Sequence, residues 1–148
     1  MMGRYTYHCP LRWSDLDAFG HVNNARFLTL YEEARVGLMF TDARRAGLVS
    51  FERGVVIARH EIDYVRLVDY GAPEQSGSPE QSGSPTVRVE LWIEDLRASR
   101  FTIAYELFDG AGVLASRART VCVPFDLASA RPRRLSDAER SYLEPWQA

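Results

Sequence analysis

The chain has 148 residues, 46% of them hydrophobic and 26% charged, which suits one soluble globular domain with a buried core. A net charge of −2 gives no reason to expect a nucleic-acid or membrane surface. No run of roughly 18 apolar residues is present to cross a bilayer.

The opening MMGRYTYHCP has no apolar signal-peptide core. Cys9 and Cys122 lie far apart in apolar, strand-like runs, a spacing that fits neither a zinc site nor a redox pair. Two buried thiols suit a reducing cytosol, so a cytoplasmic protein without a metal is expected. All 18 basic residues are arginine. Genome composition accounts for that bias, and phosphate recognition is its functional alternative.

Residues 4–13 alternate, with Tyr5, Tyr7, Cys9, Leu11 and Trp13 on one side, which predicts a strand with one buried face. In the segment NARFLTLYEEARVGLMFTDARRAGL, Phe27, Leu30, Ala34 and Leu38 recur at helical spacing, and Leu28, Tyr31 and Met39 form an adjoining stripe. A long, largely buried helix follows, with Arg26, Glu32 and Glu33 on its exposed edge. Gly37 permits close approach to a neighbouring backbone, and Gly47 reads as the stop.

From residue 54 onward the signals are strands. GVVIARHEIDYVRLV turns Val56, Ala58, Ile62 and Tyr64 to one face, with a bulge expected near Arg66. Val87, Val89, Leu91 and Ile93 share a face, as do Phe101, Ile103, Tyr105 and Leu107; VLASRARTVCVPF supplies the last strand. DLRAS and DGAG have hairpin length and chemistry, so these three strands form an antiparallel meander. Ser136 and Glu139 open a short closing helix with a capping box. The hexapeptide PEQSGS occurs twice, at 73–84, and reads as a mobile, tolerant loop insertion spanning 73–85 within a single domain, 1–148. One helix followed by hairpin-linked strands predicts an α+β layer fold, since a parallel sheet needs alternating helices.

The densest chemistry lies in WSDLDAFGHVNNARF, residues 13–27. Asp15 and Asn23 suit turn and helix caps, and Asp17 is either another cap or a reacting carboxylate. The longer run LRWSDLDAFGHVNNARFLTLYEEAR resembles the signature of hotdog-fold acyl-CoA thioesterases of the 4-hydroxybenzoyl-CoA thioesterase-like family. That pattern is roughly D-x-D-x-x-G-H-V-N-N-x-x-Y-x-x-x-x-E, and Phe27 stands where the family often has tyrosine.

The resemblance implies a hotdog fold, in which a curved five-stranded antiparallel sheet wraps one long helix. It also implies a homodimer with sheets continuing across the interface, often paired into tetramers. Asp17 is then the nucleophile or general base. The backbone N–H at Asn24 polarises the thioester carbonyl. His21 orients substrate or water, or hydrogen-bonds Asp17; related branches carry their histidine at the position of Asn24. Phe27 and Tyr31 line the acyl pocket, and Arg97, Ser99 and Arg100 hold the nucleotide end of coenzyme A. No metal or organic cofactor is implied. The alternatives are a hotdog enoyl-CoA hydratase or dehydratase and a non-catalytic acyl-CoA-binding protein.

Overall fold

Alternating apolar residues and two short polar turns build the sheet. The computed structural model describes residues 3–70 and 85–148; the duplicated hexapeptides at 73–84 lie outside the described residues. Five strands, β1 (Tyr5–Pro10), β2 (Val55–Tyr64), β3 (Thr86–Glu94), β4 (Phe101–Phe108) and β5 (Leu114–Asp126), pair antiparallel in the order β1-β3-β4-β5-β2. A two-residue strand, β6 (Arg131–Pro132), adds to β5. The β3–β4 and β4–β5 hairpins are those expected from DLRAS and DGAG, and Val89, Leu91, Ile103 and Leu107 are fully buried on one face.

That face receives the helix. α1 (Arg26–Val36) runs without a break into a π-helical turn (Gly37–Asp42) and a last α-helical turn, α2 (Ala43–Arg45). Gly47, at φ +84°, ends it as expected. Phe27, Leu30, Tyr31, Ala34, Leu38 and Met39 are all 3% exposed or less, so the apolar stripe read from the sequence is the buried one. Leu28 departs from it and is exposed. A Cβ at Gly37 would stand 2.9 Å from the Tyr7 ring and 3.0 Å from Tyr5 Oη. The close neighbours of Gly37 are thus aromatic side chains of β1 rather than backbone.

Three expectations change. The first strand stops at Pro10; Leu11 N–H still donates to the Pro85 carbonyl, but Arg12 N–H turns to Asp15 Oδ2, and Trp13 opens a 3₁₀ turn (Trp13–Asp15) and is 75% exposed. Glu33, expected on the exposed edge, is half-buried and accepts the Cys9 thiol proton at 2.6 Å. In β2 the register shifts at Ala58, between Ile57 and Arg59. The chain then leaves the ladder where Val65 and Arg66 both donate N–H to the Ala115 carbonyl. β2 is the outer strand beside β5; its Val56, Ile57 and Tyr64 are exposed, and among the described residues no strand pairs with its outer edge.

The C-terminal segment closes the sheet end. α3 (Asp137–Leu143) starts at the expected capping box, in which Glu139 N–H donates to Ser136 Oγ and Ser136 N–H to Glu139 Oε1. Glu139 is fully buried and takes two hydrogen bonds from Arg133, at 2.7 and 3.0 Å. Arg133 Nε also donates to the Phe125 carbonyl, pinning the segment to β5. Burial alone pushes the Glu139 carboxyl up, but Arg133 and the Ser136 cap outweigh it and hold it below its ordinary value.

Removing one partner of a buried pair strands the other charge. Glu139→Ala is therefore expected to destabilise the fold by about 3 kcal/mol in urea unfolding. The lowered carboxyl also gives this pair a pH signature. Its stabilisation is complete above the ordinary carboxylate value of 4.5 and is lost as pH falls through the lowered folded value. The stability gap between the native chain and Glu139→Gln should narrow between roughly pH 5 and pH 3.

Candidate active site

The segment between β1 and α1 folds into a tight loop whose ends meet in a bridge between Leu16 and Val22. Asp17 N–H donates to the His21 carbonyl at 2.9 Å, and Gly20 N–H returns to the Asp17 carbonyl at 3.0 Å. Gly20 sits at φ +80°, a conformation that disfavours any side chain. Asp17 Oδ1 accepts the Phe19 N–H at 2.9 Å, forming an Asx turn. Among the described residues no donor reaches Asp17 Oδ2, so one carboxylate oxygen is anchored and the other is free.

Asp15, 6% exposed, does the scaffolding foreseen for it. Its Oδ2 accepts the Arg12 N–H at 2.7 Å and its carbonyl accepts the Asn23 N–H at 2.8 Å. Asn23 Oδ1 accepts the Ala25 N–H at 2.9 Å, so it holds the turn just before the helix rather than capping the helix itself, whose N-cap position is Ala25. Asn24 Oδ1 shares that N–H at 3.0 Å. The backbone N–H of Asn24 has no acceptor among the described residues. It stands at the positive end of α1, where donors lack intrahelical partners.

These groups share one cleft of about 630 Å3, lined by Asp17, Phe19, His21, Val22, Asn24 and Phe27 on one side and by residues 64–67 on the other. Several interactions join the walls: Val22 N–H donates to the Val68 carbonyl, the Tyr64 hydroxyl donates to the Asn24 carbonyl, and the Tyr64 ring stands edge-on to Phe27 with centroids 5.2 Å apart. His21, part-buried, turns Nε2 to Asp69 Oδ1 at 3.2 Å, an exposed carboxylate. Its ring is thus engaged by Asp69 and not by Asp17. Phe19 and Leu67, 85% and 71% exposed, make the rim apolar.

The structure gathers four of the sequence-selected residues, Asp17, His21, Asn24 and Phe27, and leaves four outside the cleft. Tyr31 is core, 1% exposed, with its hydroxyl on Ser116 Oγ. Arg97, Ser99 and Arg100 lie exposed on the β3–β4 turn, where Asp95 takes Arg97 Nε at 2.7 Å and faces Arg100 at 3.8 Å. Sequence reasoning missed Tyr64, Arg66 and Asp69. Alternation along β2 marks Tyr64 as apolar-facing, but no local signal brings residue 64 to residue 24. Among the described residues no three His, Cys, Asp or Glu side chains converge to hold a metal ion. A smaller hollow of about 310 Å3 among Arg4, Trp92, Glu106 and Arg119 is filled by charges that pair with one another or with Glu94.

A free carboxylate oxygen and a free helix N-terminal N–H in one apolar cleft fit addition to a carbonyl. Comparison with known proteins agrees. A predicted thioesterase from Bacillus stearothermophilus is 29% identical, with 98% of each chain covered and a TM-score of 0.76. A Thermus thermophilus thioesterase, solved in complex with coenzyme A and zinc, is 26% identical over 96% of this chain and 93% of its own, with a TM-score of 0.72. A 1,4-dihydroxy-2-naphthoyl-CoA thioesterase from Synechocystis, 20% identical over 95% and 96% with a TM-score of 0.73, shares the fold. No curated protein is significantly similar to the chain. The model of the thioesterase-like superfamily matches residues 11–143, and the chain belongs to that family as a hotdog-fold thioester hydrolase.

Proposed function

We propose that this protein hydrolyses a fatty or aromatic acyl-CoA to the free acid and coenzyme A, with Asp17 as nucleophile or general base. The observation that carries the reading is the shared cleft of Asp17 Oδ2 and the Asn24 N–H, neither of which has a partner among the described residues. A thioester carbonyl between them would have the carboxylate at its carbon and the amide at its oxygen. As the tetrahedral state forms, negative charge grows on that oxygen, where the helix N-terminus is already oriented to receive it. Collapse breaks the C–S bond, and the thiolate, a good leaving group near its ordinary pKa of about 8.5, departs with coenzyme A. As general base, Asp17 takes the proton of the attacking water. As nucleophile, it forms a mixed anhydride that water then cleaves.

The remaining groups take supporting parts. Phe19, Val22, Phe27 and Leu67 give the acyl portion an apolar surround. His21, held by Asp69, orients the loop or the substrate rather than activating Asp17. Arg97, Ser99 and Arg100 hold the nucleotide phosphates, for which the arginine fork is suited. Their distance from the cleft within one chain is accommodated if two copies pair through the open β2 edge, continuing the sheet, so a homodimer belongs to the proposal. Two free, buried cysteines fit a reducing compartment, the cytoplasm. No helix among the described residues is long and apolar enough to cross a membrane.

Thiol release across aliphatic and aromatic CoA thioesters tests the reading. Asp17→Asn should lower kcat at least a hundredfold, roughly 3 kcal/mol of barrier, at an unchanged melting temperature. Turnover retained in that variant would remove Asp17 from the mechanism. His21→Gln should cost less than tenfold, because its ring is already committed to Asp69. Activity should survive extensive EDTA treatment, and loss that zinc restores would defeat the metal-free assignment. Light scattering should return a dimer, and a monomer at working concentration would defeat the paired-edge arrangement.

A further inference from the structure

Tyr64, the last residue of β2, belongs to no part of the motif, yet it makes the principal contacts between β2 and the start of α1. Its hydroxyl donates to the Asn24 carbonyl at 2.8 Å, and its ring packs edge-on against Phe27 at an interplanar angle of 85°. Asn24 precedes the helix N-cap, Ala25, so its carbonyl receives nothing from the helical ladder. The phenol fills that vacancy and restrains a cleft-lining residue whose N–H has no acceptor among the described residues.

The strand end carrying Tyr64 is itself braced. Tyr31, one turn further along α1 than Phe27, donates its hydroxyl to Ser116 Oγ at 2.7 Å, and Ser116 Oγ donates to the Asp63 carbonyl at 2.9 Å. Ser116 also stands opposite Tyr64 in the β2–β5 register. The hydrogen bonds therefore run from α1 to β5 to β2, and through Tyr64 back to the beginning of α1. Tyr31 and Ser116 are 1% and 0% exposed, so their bonds meet no competition from water. A phenol is a donor at neutral pH already at its ordinary value, and burial pushes that of Tyr64 further up.

We propose that Tyr64 is a positioning residue for the hydrolysis. Its hydroxyl, braced through Tyr31, Ser116 and Asp63, holds Asn24 so that the Asn24 N–H stays aimed at the place where the thioester oxygen becomes an anion. This rests on the function proposed above. Because an oxyanion donor acts only through its placement, a loosened donor costs rate more than substrate affinity.

The test uses Tyr64→Phe and Tyr64→Leu in the full chain, with two readouts. The first is kcat and KM for the best acyl-CoA of the thiol-release panel. The second is amide hydrogen exchange over residues 24–27, measured without substrate. Tyr64→Phe keeps the ring and should melt within about 3 °C of the native chain. It should hold KM within about twofold and lower kcat about tenfold or more. Exchange over residues 24–27 should quicken in the same variant. Tyr64→Leu, which also removes the wall of the cleft, should raise KM as well.

A Tyr64→Phe variant with native kcat overturns the proposal even if Tyr64→Leu is slow, because ring packing then accounts for the effect. A raised KM at native kcat also overturns it, since the hydroxyl then serves ground-state binding. Should the native chain hydrolyse no thioester in the panel, the proposed function fails on its own. Exchange then decides the anchor, with unchanged rates in Tyr64→Phe overturning it and faster rates supporting it.

Discussion

The burial of α1 and of the π-helical turn that continues it against one face of the sheet is the contact on which the rest depends. Phe27, Leu30, Leu38 and Met39 are each buried there, with a contribution of about 1.5–3 kcal/mol apiece. Tyr31 adds a ring to the same face and sits 4.8 Å from Tyr105. Gly37 lets the helix settle onto Tyr5 and Tyr7 of β1, which a methyl group would prevent. The packing is strong in the middle of the helix and absent at its start, where Asn24, Ala25 and Arg26 are exposed. The helix is therefore rigidly placed while its N-terminal amide remains open, which is the combination a preorganised oxyanion donor requires.

The loop before the helix achieves its order by a different route. It has little apolar surface to bury, so backbone groups are satisfied by Asp15, Asp17 and Asn23 side chains and by short-range bonds within residues 12–26. Polar residues at such density near a helix entry are costly unless paired or solvated, and Asp15, Asn23 and one oxygen of Asp17 take backbone N–H partners. Asp17 Oδ2 and the Asn24 N–H, which belong to two cleft-lining residues, have no partner among the described residues. In the proposed function a substrate would complete the hydrogen bonding of both.

β2 links the site to the edge of the molecule. One end of it holds Asn24 through Tyr64, while Val56 and Ile57 near its other end stay exposed on a strand whose outer edge has no partner among the described residues. An open edge with apolar side chains is a liability in a lone chain. Pairing with a second copy would cover it and would stiffen the strand from which Tyr64 reaches the helix. Stability of the dimer and placement of the donor would then be mechanically connected.

The local patterns were legible where one face decided everything. Alternation in β3 and β4, the i, i+3, i+4 stripe of α1, the hairpin turns, Gly47 and the Ser136–Glu139 cap each follow from chemistry within a few residues. The turn-forming parts of Asp15 and Asp17 were also legible, because such side chains act on their own neighbourhood, whereas the reacting part of Asp17 is what the family resemblance implies. Trp13 breaks the alternation because Asp15 Oδ2 takes the Arg12 N–H and turns the chain out of the ladder. Glu33 was placed outside because helical period alone does not show that Cys9 of β1 reaches it. The partners of His21 and Asn24 could not be read at all, since Asp69 and Tyr64 lie 48 and 40 residues away along the chain. The sequence by itself determined which segments are strand or helix and which side chains build the turn before α1, because those properties are set by local backbone and solvation preferences. Only the tertiary structure decided that Tyr31 is core, that Asp69 engages His21 and that Tyr64 anchors Asn24. Those pairings depend on how a curled sheet brings the end of one strand to the start of one helix.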